Sequence, residues 1–166
     1  MREKFRPYIF NGFLLILPAI AWNAALAHRL PPFFEPASLD HHIPFMITFS
    51  EQLFRVLFFI VVFLMPLSRT GTQIRRGGIL YILGLLLYFA SWVPLVWFPD
   101  SSWSVSLLGL SAPSWTPVCW MSGIICLCNG FSFGIPYRKW IPWSLLILFL
   151  LFHNLHIFLA FYRVPL

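Results

Sequence analysis

Charged residues are scarce in this sequence. Of its 166 residues only 10% are charged, whereas 60% are apolar and 19% are aromatic. An ordinary soluble domain carries about a quarter charged residues, and so few charges cannot cover the surface of a chain of this size. The composition therefore excludes a soluble globular domain and indicates an integral membrane protein whose solvent is lipid.

The sequence also lacks the motifs of the common soluble enzymes. It contains no GxSxG, no GxxxxGKS/T, no GxGxxG and no HExxH, and its connecting segments are too short to form a separate catalytic domain. Its basic residues occur in groups of two or three without interleaved aromatic residues, which argues against nucleic acid as a partner. The three cysteines all lie in one apolar run and predict small buried residues rather than disulfides.

Five apolar runs are each long enough to cross a bilayer, because a spanning helix needs about 20 apolar residues. These runs are 8–27, 44–67, 78–98, 113–133 and 140–162. The predicted fold class is an all-α integral membrane protein, a bundle of five transmembrane helices in a single membrane domain over 1–166. The segment at 103–112 is apolar but only about half as long, so it is predicted to be interfacial or re-entrant.

Most lysine and arginine residues fall before the first run and in the second and fourth gaps between runs. They are Arg2, Lys4 and Arg6, then Arg69, Arg75 and Arg76, then Arg138 and Lys139. The other gaps hold more acidic residues and only Arg29, and Arg163 follows the last run. Because basic residues stay on the cytoplasmic side during insertion, the N-terminus is predicted to be cytoplasmic and the C-terminus extracytoplasmic. The expected location is a plasma or bacterial inner membrane, with the lipid bilayer as the principal partner.

The first run has an alternative interpretation as a signal peptide. Basic residues, an apolar stretch and then Ala25-Leu26-Ala27 follow one another at the N-terminus, as in a cleavable signal. The apolar stretch is long for such a signal, which favours a retained helix. The sequence leaves cleavage of residues 1–27 open, and the predicted orientation of the other helices is the same in both cases.

Small residues recur every four positions along the fourth run. They are Ser122, Cys126, Gly130 and Gly134. This spacing places them on one face of a helix, where small side chains allow close approach of a neighbouring backbone. The pattern predicts close packing of the fourth helix within its own bundle.

Glu51 and Arg55 are the most informative polar residues, because both are predicted to lie inside the membrane. They are four residues apart on the second helix, so their side chains can meet. By helix rise, Glu51 is expected about 10 Å below the outer surface and Arg55 near the midplane. A charge there costs about 3 kcal/mol on insertion scales, so such residues usually face a bundle interior or a wet cavity. A self-neutralised pair that only helps packing is the alternative.

The fifth helix carries His153, Asn154 and His156 at a similar depth. The two histidines are three positions apart and can face the same neighbouring helix. Asn23 of the first helix lies at a comparable level. If the helix rotations allow it, polar groups from the first, second and fifth helices converge on one outward-facing cavity.

Metal or haem binding is a weaker possibility. Three further histidines, His28, His41 and His42, lie in the first outer loop, and imidazole is a good ligand for zinc, copper and haem iron. No metal-binding motif accompanies them, so no cofactor is predicted. The only candidate ligands with helical spacing are His153 and His156.

Three functional hypotheses follow. In the first, a cavity lined by Glu51, Arg55, His153, His156 and Asn23 binds or transports a small polar or amphipathic ligand. Arg55 would hold an anionic group, Glu51 would tune that charge, and an imidazole would exchange a proton. In the second hypothesis the chain is an accessory subunit or assembly factor of a membrane complex. In the third it is a membrane-embedded enzyme acting on a lipid or quinone, in one version with a histidine-bound metal or haem. The first is preferred over the third, and the sequence leaves catalytic activity open.

Overall fold

A computed structural model describes residues 10–40, 43–68, 71–132 and 134–163. Some residues used above lie outside these ranges, namely Arg2, Lys4, Arg6, Arg69, His41 and His42. Within the described ranges the chain is helical, and its only β-type pairings are isolated bridges. The longer helices are α1 (Leu17–Leu26), α2 (Phe45–Leu64), α3 (Gly71–Trp97), α4 (Pro117–Leu127) and α5 (Trp140–Arg163).

Four helical stretches among the described residues are long and apolar enough to cross a membrane. They are Gly12–Arg29, Phe45–Leu64, Ile74–Trp97 and Trp140–Arg163. Large apolar side chains on their outer faces are exposed, for example Leu83 at 61% and Ile147 at 62%. Such exposure fits a lipid environment, because contiguous apolar surface of this extent is rare in soluble monomers. The all-helical membrane class predicted from composition is therefore confirmed.

Five spanning helices are not confirmed, because the predicted fourth helix is broken. In place of one helix over 113–133, the chain forms a single turn, Ala112–Trp115, and then the 11-residue α4, which begins at Pro117 and ends at Leu127. Cys128 has an extended backbone. Proline cannot donate a hydrogen bond to the preceding turn, and the following asparagine and glycine residues have low helix propensity. A hydropathy profile shows neither the missing proline donor nor the low helix propensity of asparagine and glycine.

The turn Ala112–Trp115 and α4 connect two regions of the bundle. The turn lies beside the middle of α5, where Ser114 bonds Asn154. The last residue of α4, Leu127, accepts a hydrogen bond from Ser68 N, close to the start of α3. We call the end with Arg75, Arg76, Arg138 and Lys139 the basic end, and the other the opposite end.

Helices α3 and α4 pack through glycine. A Cβ atom placed on Gly84 of α3 would lie 2.3 Å from the Trp120 backbone nitrogen, and one on Gly123 of α4 would lie 2.5 Å from Tyr81 N. Close packing by α4 was predicted from Ser122, Cys126, Gly130 and Gly134, but Gly130 and Gly134 lie beyond the end of the helix. Gly123 was missed because it lies outside the four-residue pattern.

Backbone hydrogen bonds join three connecting segments at the basic end. Gly12 N donates to Met65 O at 2.9 Å, and Leu67 N donates to Phe10 O at 3.3 Å. Ser132 N donates to Leu64 O at 2.8 Å. These bonds satisfy peptide groups that would otherwise be costly to bury, and they fix the ends of α1 and α2 beside each other.

The segment at 103–112 forms compact turns at the opposite end. Leu110, in the single turn Leu107–Leu110, is buried in a small cluster with Phe33, Ile157 and Ala160. Gly109 lies so close to the Trp103 backbone that an added Cβ would be 1.9 Å from the Trp103 carbonyl oxygen. A re-entrant course is not confirmed; the segment covers the end of α5.

Candidate functional site

Glu51 is the centre of a polar cluster between α2 and α5. The residue is only 4% exposed, although a carboxylate is costly to bury without partners. Arg55, one turn further along α2, donates to Oε1 of Glu51. His153 Nδ1 lies 3.0 Å from the same oxygen, and His156 Nδ1 lies 2.7 Å from Oε2. One carboxylate is therefore surrounded by one arginine and two histidines.

The second ring nitrogen of His156 indicates which of its two nitrogens carries a proton. His156 Nε2 lies 3.1 Å from the Leu39 carbonyl oxygen, which only accepts hydrogen bonds, so Nε2 is the donor. A neutral ring would then have no proton on Nδ1. The contact between Nδ1 and Glu51 Oε2 therefore requires a further proton, which the imidazole and the carboxyl group share.

The cluster reaches the surface through Asp40. His156 Nε2 also lies 3.4 Å from Asp40 Oδ1, and the Asp40 side chain is 57% exposed. A continuous series of polar groups thus runs from Asp40 through His156 and Glu51 to His153. Because each neighbouring pair is within or near hydrogen-bond distance, the series has the geometry of a proton relay.

Arg55 has hydrogen-bond donors that no acceptor among the described residues occupies. Its guanidinium group bonds Glu51 and, at 3.2 Å, Gln52 Oε1, and it lies 5.4 Å from the ring centre of Phe149. Arginine has five N–H donors, and the side chain is still 31% exposed. Arg55 can therefore bind another acceptor without releasing Glu51.

Arg55 and His153 line a cavity of about 520 Å³. Asn23 of α1 and Tyr88 of α3 supply further polar side chains, and the rest of the wall is mainly apolar or aromatic, including Phe149. A smaller cavity of about 170 Å³ is also lined by Asn23, Tyr88 and His153, and continues toward the opposite end. A mostly apolar cavity with a few convergent polar groups is typical of small-ligand sites.

The structure brings four of the predicted site residues into direct contact, namely Glu51, Arg55, His153 and His156. Asn23 faces the same cavity, but its Oδ1 accepts a hydrogen bond from the Tyr88 hydroxyl group. His156 lies behind Glu51 and is buried. Asn23 is thus a wall residue held by Tyr88 rather than a member of the carboxylate cluster.

Sequence reasoning missed Tyr88 and Phe149. Tyr88 is 5% exposed and presents its hydroxyl group beside the cavity. Phe149 stacks on His153 with ring centres 5.4 Å apart and an interplanar angle of 16°. A tyrosine in the middle of a spanning helix, far from the aromatic belts, was the available signal for Tyr88. No comparable signal marks one phenylalanine among 19.

Asn154 has a structural role. Its amide nitrogen donates to the carbonyl oxygens of Leu150 at 2.7 Å and Ser114 at 3.2 Å. Its amide oxygen accepts from the Ser114 hydroxyl group at 2.9 Å. These bonds attach the turn before α4 to α5, so Asn154 lies outside the Glu51 cluster.

Within the described ranges, no group of three histidine, cysteine, aspartate or glutamate residues is arranged to hold a metal ion. His153 and His156 direct their Nδ1 atoms at Glu51 rather than at a shared empty point. Comparison with protein-family models, with curated proteins and with solved structures gives no match to this chain.

Proposed function

We propose that this chain is a membrane protein that binds, and in the course of transport releases, a small amphipathic ligand with an acidic or other hydrogen-bond-accepting group. The ligand occupies the cavity between α1, α2 and α5 at the level of Arg55. Its polar group contacts Arg55 and His153, and its apolar part lies against the aromatic wall. Release of the ligand is coupled to proton movement along His153, Glu51 and His156.

The observation that carries the proposal is the excess of donors around one carboxylate. Glu51 offers a single negative charge to Arg55, His153 and His156. Arg55 keeps donors that no described residue occupies, and they lie at a cavity wall. An anionic group placed there gains charge-assisted hydrogen bonds, which are about twice as strong as neutral ones.

The same arrangement explains why a proton accompanies the ligand. The cluster already holds one proton between His156 and Glu51, and His153 connects Glu51 to the cavity. A ligand anion next to Arg55 competes with Glu51 for the positive charge, which shifts the preferred position of nearby protons. The ligand's charge and the proton's position are therefore linked.

We also propose that the basic end faces the cytoplasm. Arg75, Arg76, Arg138 and Lys139 lie there, whereas Glu35, Asp40 and Asp100 lie at the opposite end. By the positive-inside rule, the opposite end then faces the extracytoplasmic side. The 170 Å³ cavity, which continues toward that end, lies on the same side.

Arg55→Leu tests the proposed binding site. We expect 2-naphthoate to raise the thermal unfolding temperature of the purified wild-type protein more than the neutral alcohol 2-naphthalenemethanol does. Arg55→Leu should weaken naphthoate binding by about 10- to 100-fold, because charge-assisted hydrogen bonds contribute roughly 1.5–3 kcal/mol. The protein should still fold, since Glu51 keeps both histidine partners. Unfolding temperature as a function of ligand concentration measures the effect.

Arg29→Leu is the matched control. It removes the same charge from an exposed position outside both cavities, so naphthoate binding should remain at the wild-type level. Equal stabilisation by the acid and the alcohol, or unchanged naphthoate binding in Arg55→Leu, would contradict the proposal.

A further inference from the structure

A second cavity of about 330 Å³ lies at the basic end, well separated from the Glu51 cluster. It is formed where the start of α3, the end of α4 and the segment leading into α5 meet. Its polar and aromatic walls include Thr72, Arg76, Cys126, Tyr137, Lys139 and Trp143. It shares no lining residue with the cavity at Arg55.

The cavity wall is positively charged and has no acidic member. Arg76 and Lys139 reach it from different segments of the chain. Among the described residues, no carboxylate lies within ion-pair distance of Arg76 or Lys139. Glu3, which is predicted to lie on the same side of the membrane, is outside the described ranges. Within the part of the chain that the structure describes, two cations at one concave site therefore have no carboxylate partner.

The rest of the wall suits a phosphate group. Thr72 lies in the first turn of α3 and offers a hydroxyl group, and the first N–H groups of a helix have no partner within that helix. The end of α4 also meets the cavity, but its last carbonyl group, that of Leu127, already accepts a bond from Ser68 N at 2.7 Å. Arg76, Lys139 and the Thr72 hydroxyl group thus offer side-chain donors at this wall, as phosphate oxygens require.

The two cations have complementary properties. The guanidinium group of Arg76 has the planar fork that matches two phosphate oxygens, and Lys139 adds a mobile point charge. Tyr137 and Trp143 line the same cavity, and such aromatic side chains are typical of the depth at which lipid headgroups lie. Basic cavities between membrane helices on the cytoplasmic side commonly hold anionic headgroups.

We propose that this cavity binds a phosphate group between Arg76 and Lys139. The phosphate comes either from the headgroup of an anionic phospholipid or from a small phosphorylated solute. The site is independent of the ligand proposed at Arg55, because the two cavities share no residue and lie at different levels of the bundle.

A pair of double variants tests the site. Arg76→Gln with Lys139→Gln removes both cavity cations, whereas Arg75→Gln with Arg138→Gln removes two neighbouring cations that do not line the cavity; all four side chains are exposed. The net charge changes equally. Thermal unfolding in a neutral detergent is measured with dioleoyl phosphatidic acid, with glycerol phosphate and, as a zwitterionic reference, with dioleoyl phosphatidylcholine.

We expect phosphatidic acid to stabilise the wild type and the Arg75/Arg138 variant, and to bind the Arg76/Lys139 variant at least about tenfold more weakly, because charge-assisted contacts are lost. If glycerol phosphate also stabilises the wild-type protein, the phosphate group alone is sufficient for binding. Stabilisation by phosphatidic acid alone identifies a lipid as the source. Both results support the site.

Equal weakening in the two double variants would overturn the proposal, since it would reduce the effect to net charge. So would the absence of any stabilisation of the wild type by either phosphate compound. If the Arg76/Lys139 variant does not fold, Lys139→Gln against Arg138→Gln gives the same comparison at adjacent positions.

Discussion

Glu51→Leu is expected to lower the free energy of unfolding by about 3–5 kcal/mol, the usual cost of removing one partner from a buried ion pair. The substitution leaves Arg55 without its counterion and His156 Nδ1 without its partner, while Glu51 itself is only 4% exposed. Denaturant titration of the purified protein in detergent measures the loss. A cost of this size would make the variant difficult to purify at elevated temperature.

Glu35→Leu is the control for this prediction. Glu35 has an exposed side chain at the opposite end, and no described residue pairs with its carboxylate. Its replacement should change the free energy of unfolding by less than about 0.5 kcal/mol, as is usual for surface positions. If the two variants lose similar stability, Glu51 is not the centre of a structural cluster.

Glu51→Gln distinguishes the contribution of Glu51 to protein stability from its proposed role in proton exchange. The amide oxygen can accept from Arg55 and His153, and the amide nitrogen can donate to His156 Nδ1 with no shared proton. We expect this variant to be clearly more stable than Glu51→Leu. Wild-type protein should change its proton content when naphthoate binds, whereas Glu51→Gln should not, as measured by a pH indicator in weak buffer. Identical proton exchange in both proteins would contradict a role for Glu51.

Gly84→Leu is expected to disrupt the contact between α3 and α4. A Cβ at this position would lie 2.3 Å from Trp120 N and 2.7 Å from the Cys119 carbonyl carbon, and neither backbone atom can move without shifting the helix. Overpacking commonly costs about 1–3 kcal/mol and more where backbone blocks the new side chain. We therefore expect a loss of about 3 kcal/mol or more, measured by thermal and denaturant unfolding.

Gly78→Leu provides the comparison on the same helix. No heavy atom lies within 4 Å of a Cβ built at Gly78, so leucine there should leave stability nearly unchanged or raise it through better helix propensity. Similar losses at Gly84 and Gly78 would show that the interhelical contact is not decisive.

Much of the site could be predicted because helical spacing governs it. The four-residue step from Glu51 to Arg55 and the three-residue step from His153 to His156 place each pair on one helix face. Because both pairs were predicted to lie at a similar depth in the membrane, they were expected to meet. The roles of Tyr88 and Phe149 could not be predicted in this way, because they depend on how α3 and α5 are rotated.

The fourth helix shows where hydropathy misleads. The run 113–133 is mostly apolar, yet helix formation ends at Leu127, since Asn129 and Gly130 follow and the chain instead makes backbone bonds at the basic end. A hydropathy scale measures only the preference of side chains for lipid. The length of a helix also depends on helix propensity and on other hydrogen-bond partners for the backbone. For the same reason Gly130, which was expected on the packed face, lies beyond the end of the helix.

The backbone bonds at the basic end determine how the cavity can widen. Gly12 N is held to Met65 O at 2.9 Å, so the start of the first helical stretch is fixed to the end of α2. Among the described residues, the walls of the larger cavity contact one another through side chains. The stretch Gly12–Arg29 has 18 residues, so tilting it by about 10° displaces its far tip by roughly 5 Å at about 1.5 Å per residue. A small rotation of this stretch would therefore widen the proposed ligand cavity without melting any helix.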